Sequence, residues 1–250
     1  MSAYGRPEKF YSKMKKLLKI SPDGIYKTKI NFGLTTSYGV AKEFINLFGQ
    51  PRLPSERLLQ KHFDIAAAGQ KVLEEAIFNL LNWLYKKTKT PNLCLAGGVV
   101  LNCVANGKIT ANTPFKNLFI QPAANDAGTS LGAALYVYHQ LLKKPRKFIM
   151  EHAYWGPEEN NISIKAKLEK TKLSFVYYRN IEKKVAELIS QGRIIARYNG
   201  RAEWGPRTLG NRSILADPRD PKIREKLNAI KDRDWFRPVC PSILEEKTPE

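Results

Sequence analysis

Residues 91–135 read PNLCLAGGVVLNCVANGKITANTPFKNLFIQPAANDAGTSLGAAL. Pro91 ends the segment before it, and Leu93-Cys94-Leu95-Ala96 is an apolar run with the length of a short buried strand. Gly97-Gly98 follow, and the pattern from about Val100 to Ile109 fits a helix. Leu118-Phe119-Ile120 is a second buried strand, and a loop leads into a helix from about Gly128 to Leu142. Strands and helices alternating across brief links are the grammar of an α/β fold, with helices packed on a mainly parallel sheet.

Upstream of Pro91, Leu73, Ile77, Leu80, Leu81 and Leu84 follow the helical period. Asp64 is the expected N-cap of that long helix, and Lys86, Lys87 and Lys89 suit the negative end of its dipole. Residues 1–60 read as irregular, with a turn at Ser21-Pro22-Asp23-Gly24 and a proline-bracketed loop at Pro51–Pro54. Downstream, Lys143-Lys144-Pro145-Arg146-Lys147 reads as a linker to a second unit. That unit is expected to hold a strand at Ser174–Tyr178, a helix at Ile181–Ser190, a strand at Ile194–Tyr198 and a helix from about Pro221 to Lys231.

Composition narrows the class. The chain has 250 residues, 43% of them hydrophobic, which is enough for a core. Cys94, Cys103 and Cys240 form no C-x-x-C pair, which points to a reducing compartment rather than a disulfide framework. No run approaches the ~20 apolar residues of a membrane span, and the basic start lacks a signal-peptide core. The expectation is a soluble cytoplasmic protein with no membrane partner. Its net charge of +19 is uneven: 22 Lys/Arg face 8 Asp/Glu in residues 1–150, and 20 face 15 in residues 151–250. Such a balance fits either a solvated basic face or attraction to polyanions. No zinc-finger, RNP or helix-turn-helix signature supports a specific nucleic-acid partner.

Three stretches carry candidate chemistry. Gly97-Gly98, at a strand-to-helix junction, allow either tight packing or close backbone approach to a ligand. Asp126, at the mouth of the helix that opens with Gly128 and Gly132, is either an N-cap or a hard oxygen ligand for a nucleotide's divalent metal. His62, His139 and His152 are scattered and make no metal-binding spacing. The third stretch, RYNGRAEWGPRTLGNRS at residues 197–213, holds four arginines and a glycine at every fifth position, a spacing that suits neither helix nor strand. Arginines bind phosphate or carboxylate in a planar, bidentate way, and glycines let a backbone curl around such a ligand. Trp204 would stack on a base or fill a core gap.

The strings LAGGVVLNCVANGKI, FIQPAANDAGTSLGAAL, GRAEWGPRTLGNRSILADPR and DWFRPVCPSILEE, in this order, closely resemble the ATP-dependent O-carbamoyltransferases, the nodulation-factor and antibiotic-tailoring enzymes. The resemblance implies the C-terminal half of an actin-like (ASKHA) domain over residues 1–148 and part of a YrdC-like α/β domain over 149–250. It implies that carbamoyl phosphate is activated with ATP as carbamoyl adenylate, and that the carbamoyl group then passes to a hydroxyl-bearing small-molecule acceptor.

On matching positions, Gly97, Gly98, Asn102, Asn106 and Gly128 would hold adenosine and acceptor-side groups, and Asp126 would ligate a divalent metal, Fe²⁺ or Mg²⁺. Arg201, Arg207, Arg212 and Ser213 would bind carbamoyl phosphate or the adenylate with Arg237 nearby, Arg207 and Arg212 serving catalysis. The chain departs from the family pattern at Asn125, where glycine is usual, and at Val239-Cys240, which replace Phe-Ala. Family members are longer and place a metal-binding histidine pair ahead of the stretch that Met1 matches. The expectation is a carbamoyltransferase segment that requires a missing N-terminal portion, as a split gene with that portion separately encoded, a truncated frame or a fragment. An inactive, nucleotide-binding remnant and a basic nucleic-acid-binding protein are the alternative readings.

Overall fold

An apolar stripe as long as the one ahead of Pro91 needs partners along its whole length, and the structure provides two sets. The computed structural model describes residues 1–30 and 41–248. Two units emerge, residues 1–95 with 99–120, and residues 96–98 with 121 onward.

In the first unit, helix α1 (Glu8–Lys15) leads into strands β1 (Leu18–Ile20) and β2 (Tyr26–Thr28), followed by α2 (Lys42–Phe48) and the 29-residue α3 (Gln60–Thr88). Then come β3 (Asn92–Leu95), the short helices α4 (Cys103–Asn106) and α5 (Ile109–Asn112), and β4 (Asn117–Ile120). The N-terminal half of α3 buries Ala68 and Val72 against Met14 and Leu17, with Phe10, Phe44 and Phe48 around them. Its C-terminal half buries Leu81 against Leu93, Ile109 and Phe115, with Ile77 and Leu84 alongside. The chain leaves α3 through Lys89, which takes a left-handed φ of 54° while its N–H caps the Tyr85 carbonyl at 2.8 Å.

Several sequence expectations are corrected here. Residues 1–30 and 41–60 are not irregular, and 31–40 lie outside the described residues: the turn at Ser21–Gly24 closes an antiparallel β1–β2 hairpin, with Lys19 opposite Lys27. Gly24 sits there at φ +80°, and a Cβ would come within 2.9 Å of the Trp83 ring. Asp64 is not an N-cap. The helix begins four residues earlier, where His62 Nδ1 accepts the Leu59 N–H at 2.9 Å. Buried inside α3, Asp64 instead accepts the Arg6 N–H at 2.8 Å and the Gln60 amide at 2.9 Å, with Lys9 3.3 Å away. These donors, the Arg6 N–H foremost, hold its carboxyl below the usual range and tie the N-terminal segment to the long helix.

The predicted helix over Val100–Ile109 is broken into a 3-10 turn at Gly98–Leu101 and the one-turn helices α4 and α5. Asn102 caps α4 by accepting the Ala105 N–H at 3.1 Å, which starts a new helix in mid-pattern. β3 and β4 do pair in parallel, but each strand is covered on one face only. Leu93 is buried, whereas the register partners Cys94 and Phe119 point outward and are exposed.

The second unit contains α6 (Thr129–Tyr136), α7 (Asn161–Lys170), α8 (Ile181–Ser190), β5 (Ile195–Tyr198), β6 (Arg212–Leu215) and α9 (Ile223–Ile230). Residues 143–150 form no helix or strand. Asn160 and Asn180 start α7 and α8 by accepting the N–H groups of Ser163 at 2.8 Å and Lys183 at 3.0 Å. No strand forms at Ser174–Tyr178: Val176 and Tyr177 are exposed, and an aromatic-rich run without a neighbouring strand gains no ladder hydrogen bonds. The sheet is not mainly parallel either. Among the described residues β3–β4 is parallel, while β1–β2 and β5–β6 are antiparallel hairpins. The mixed α/β class holds, built from two-stranded pieces.

Two outcomes follow from this packing. Phe115 is 1% exposed and meets Tyr85 edge-on at 5.4 Å, so Phe115→Ala should cost about 3–5 kcal/mol, read as a lower urea midpoint. Asp217, just past β6, accepts both the Arg219 guanidinium, at 2.5–2.9 Å, and the Arg219 N–H at 2.9 Å. The Arg219 side chain above all draws the Asp217 carboxyl from 3.8 to about 2. A depressed carboxylate stabilises the fold above its unfolded pKa and loses that contribution as pH falls through the folded one. The Asp217 contribution should therefore be complete above about pH 4 and fade toward pH 2, and Asp217→Asn should flatten the Tm-versus-pH curve in that window.

Candidate functional site

The arginine-glycine stretch is the tip of a hairpin. β5 and β6 pair antiparallel with Tyr198 opposite Arg212, and the Asn199 N–H reaches the Asn211 carbonyl at 3.0 Å. Spacing alone excluded a strand here; one begins at Arg212, two residues after the last glycine has turned the chain back. The three glycines take positive φ: 48° at Gly200, 130° at Gly205 and 111° at Gly210. Gly205 is the most constrained, because a Cβ there would lie 2.7 Å from the Pro122 carbonyl oxygen. A neighbouring segment supports one side of the loop. Trp204 N–H donates to Ala153 O at 2.7 Å, Gly156 N–H to Ala202 O at 2.9 Å, and Ala202 N–H to Pro157 O at 2.9 Å.

Two charged side chains take up much of the remaining backbone. Arg212 lays its guanidinium 3.5 Å from the Tyr198 ring centroid. It donates to the carbonyls of Asn199 (2.7 Å), Gly200 (3.0 Å), Asn211 (3.1 Å) and Pro157 (3.4 Å). Glu203 does the reverse: its Oε1 accepts the N–H groups of Leu209 (2.7 Å), Asn211 (2.7 Å) and Arg212 (3.3 Å). Burial pushes the Glu203 carboxyl up, but these N–H groups outweigh it and hold the group below the usual carboxylate range. Tyr154 adds its hydroxyl to the Leu209 carbonyl at 2.8 Å. Ser213 faces its partner strand and accepts the Gly210 N–H at 3.1 Å.

Arg201 and Arg207 are exposed on this loop. Arg201 bridges antiparallel to Glu158 and places Nε 3.8 Å from its carboxylate. Arg237 lines an open cavity of about 750 Å³ together with Lys231, Asp232, Arg233 and Asp234, beyond α9. Asn228, buried in α9, holds that turn by donating to the carbonyls of Trp235 at 2.9 Å and Arg237 at 3.0 Å.

The glycine pair and the aspartate loop meet in the second unit. Gly97, at φ +104°, donates its N–H to the Ala124 carbonyl at 2.7 Å. A Cβ at Gly97 or Gly98 would meet nothing within 4 Å, so both face open space. Gly128 is crowded instead, since a Cβ there would sit 2.2 Å from the Ala123 carbonyl. Asp126 is exposed in the 3-10 turn that opens α6, where its own carbonyl accepts the Thr129 hydroxyl at 2.6 Å. Among the described residues no three His, Cys, Asp or Glu side chains gather as a metal site. Asp126 thus belongs to no such cluster among the described residues, which do not by themselves fit a metal.

Asn102 and Asn106 belong to the first unit, and their amides are engaged there. Asn102 exchanges hydrogen bonds with Gln70 of α3 at 2.8 and 3.3 Å, and Asn106 donates to Val100 O at 2.7 Å. Sequence reasoning gave no role to Glu203, Tyr198 or Tyr154. One signal was present: Glu203 is the sole acidic residue among four arginines in residues 197–213.

Comparison with known proteins bears on the same segments. A family model described as "Carbamoyltransferase N-terminus" matches residues 1–135, and one described as "Carbamoyltransferase C-terminus" matches residues 186–250. An uncharacterized protein of Synechocystis is 40% identical over 99% of this chain and 42% of its own length. Nodulation protein NolO of Bradyrhizobium diazoefficiens is 34% identical over the whole chain and 45% of its own length. Nodulation protein NolNO of Sinorhizobium fredii is 39% identical over 76% of the chain and 29% of its own length. The chain thus spans less than half of each of these relatives.

The two kinds of glycine environment predict opposite outcomes. Gly205→Ala places a side chain at φ +130° against Pro122 and should destabilise the second unit by about 1–3 kcal/mol. Gly98→Ala, facing open space, should stay within about 0.5 kcal/mol of the parent. Thermal melts of the two variants make the comparison.

Proposed function

This chain is a member of the carbamoyltransferase family, and from that premise we propose that it serves ATP-dependent transfer of a carbamoyl group from carbamoyl phosphate to a hydroxyl of a small-molecule acceptor. Residues 1–148 are assigned to the C-terminal portion of an actin-like domain and 149–250 to part of a YrdC-like domain; the two family-model spans fall inside these limits. The observation that carries the reading is the 199–212 loop. Its irregular backbone is held by Glu203, Arg212, Tyr154 and the 153–157 segment, and it carries Arg201 and Arg207 exposed at its surface.

On this reading Arg207, with Arg201 on the same loop, binds the phosphate of carbamoyl phosphate or of carbamoyl adenylate. Charge-assisted hydrogen bonds to those oxygens stabilise the negative charge that gathers on the leaving phosphate. In the transfer step the acceptor oxygen bonds to the carbamoyl carbon, the bond from that carbon to the AMP oxygen breaks, and the hydroxyl proton is released. Arg212 shapes the loop through the four carbonyls it holds, and Ser213 fixes Gly210 beside it. Gly97, Gly98 and Gly128 bring backbone close to the nucleotide, with Asn102 and Asn106 supporting the turn that follows the glycine pair. Arg237 lies in the charged cavity beyond α9 and would contribute to the anion field. Asp126 would supply one ligand to a divalent cation, Fe²⁺ or Mg²⁺, whose other ligands are not among the described residues. A biosynthetic tailoring role belongs to this reading, and two of the relatives carry the name nodulation protein; a specific nucleic-acid partner does not belong to it, since the sequence holds no nucleic-acid-binding signature.

Calorimetric titration of the full chain with carbamoyl phosphate and with ATP tests the reading. Arg207→Ala should weaken binding about ten- to a hundredfold, because a hydrogen bond to a charged group contributes roughly 1.5–3 kcal/mol. Arg207→Lys should recover part of the loss, keeping the charge without the planar fork. An Arg207→Ala variant that binds both ligands like the parent would place the anion site elsewhere.

A further inference from the structure

We propose that Glu203 is the positioning residue of the anion loop, its carboxylate fixing the turn that carries Arg207. The role assigned to Arg207 rests on the functional reading above; the action of Glu203 on the loop does not.

Residues 204–208 are held from two sides. Gly205 and Pro206 bend the chain there, and none of these residues lies in a helix or strand. On the near side the segment is anchored by the Trp204 N–H on Ala153 O, at 2.7 Å. On the far side the anchor is Glu203 itself, reaching across the turn to the N–H groups of Leu209 and Asn211 at 2.7 Å each and of Arg212 at 3.3 Å. Three N–H groups converging on one oxygen form a concave cradle of positive backbone dipoles. With Glu203 in that cradle, residues 203–209 become a ring closed by a side chain, and Arg207 sits on its rim. Tyr154 fixes the same corner through Leu209 O at 2.8 Å.

Charge matters as well as reach. Hydrogen bonds to an ionised acceptor are roughly twice as strong as neutral ones. A glutamine keeps the length and one acceptor oxygen but loses that advantage. The N–H groups hold Glu203 ionised, so at neutral pH the cradle is filled by an anion that belongs to the chain. Arg212 complements it by holding carbonyls of the same loop, including that of Asn211, whose N–H belongs to Glu203.

The experiment uses the full chain as parent, Glu203→Ala, Glu203→Gln, Arg207→Ala and the Glu203→Ala/Arg207→Ala double variant. Amide hydrogen exchange at Leu209, Asn211 and Arg212 reports the cradle, and calorimetric titration with carbamoyl phosphate reports Arg207. Glu203→Ala should abolish protection of the three amides and raise Kd about tenfold; Glu203→Gln, which keeps the shape, should fall between it and the parent on both measures. In the Arg207→Ala background, Glu203→Ala should add no further loss of affinity, a non-additivity that general destabilisation would not produce. Full additivity, or amides that stay protected in Glu203→Ala, would overturn the proposal. So would carbamoyl phosphate taking over the three amides in the parent, which would make the carboxylate a placeholder for ligand instead of a strut. A parent that fails to bind carbamoyl phosphate would sink the functional reading, and amide exchange alone would then decide the role of Glu203.

Discussion

Backbone N–H and C=O groups that leave a sheet or helix still have to be paired, and the 199–212 loop depends on how that demand is met. A hairpin tip of this length offers few carbonyls and amides to itself. The chain resolves the problem with two side chains of opposite charge, each serving the opposite pole of the backbone. Glu203 gathers N–H groups and Arg212 gathers carbonyls. The result is a loop with an irregular path and a fixed shape. A binding loop needs both: the path creates concavity, and the shape spares the ligand the entropy of ordering it.

The first unit meets a different demand with hydrophobic packing. α3 is long enough to serve two clusters, one with α1, α2 and the β1–β2 hairpin, the other with β3, α5 and the approach to β4. Between and beyond them polar side chains set the register. Asp64 binds the N-terminal segment through Arg6, and Gln70 holds the cap of α4 through Asn102. Because Asn102 is fixed from α3, the turn after the glycine pair is anchored by the longest element of the chain.

Electrostatics separates the general from the specific. A charge of +19 raises the local concentration of any polyanion and so selects among none. Selection needs geometry, and here geometry divides the arginines by task. Arg212 is spent on carbonyls, and Arg219 closes bidentately on Asp217. Arg201 stands near Glu158, and Arg207 rides on the braced turn. A lysine in any of these places would supply the same charge without the planar fork.

The sequence by itself determined the α/β class, the long helix ahead of Pro91, the strands at 93–96 and 118–120, helix α8, and the family to which four ordered strings belong. The elements were legible because they rest on local periodicity and composition, which a linear string displays directly, and the family because its ordered strings resemble those of known members. Only the tertiary structure decided the rest. Asp64 looks like an N-cap until the Arg6 N–H, 58 residues away in sequence, is seen to claim it. Residues 174–178 have strand composition but no neighbour to pair with, and a strand exists only as a pair. Four arginines in one motif look equivalent until Tyr198 and a ring of carbonyls capture one of them, and Glu203 looks incidental until three N–H groups converge on it. In each case the deciding partner is distant in the chain or belongs to the backbone, and spacing along a sequence records neither.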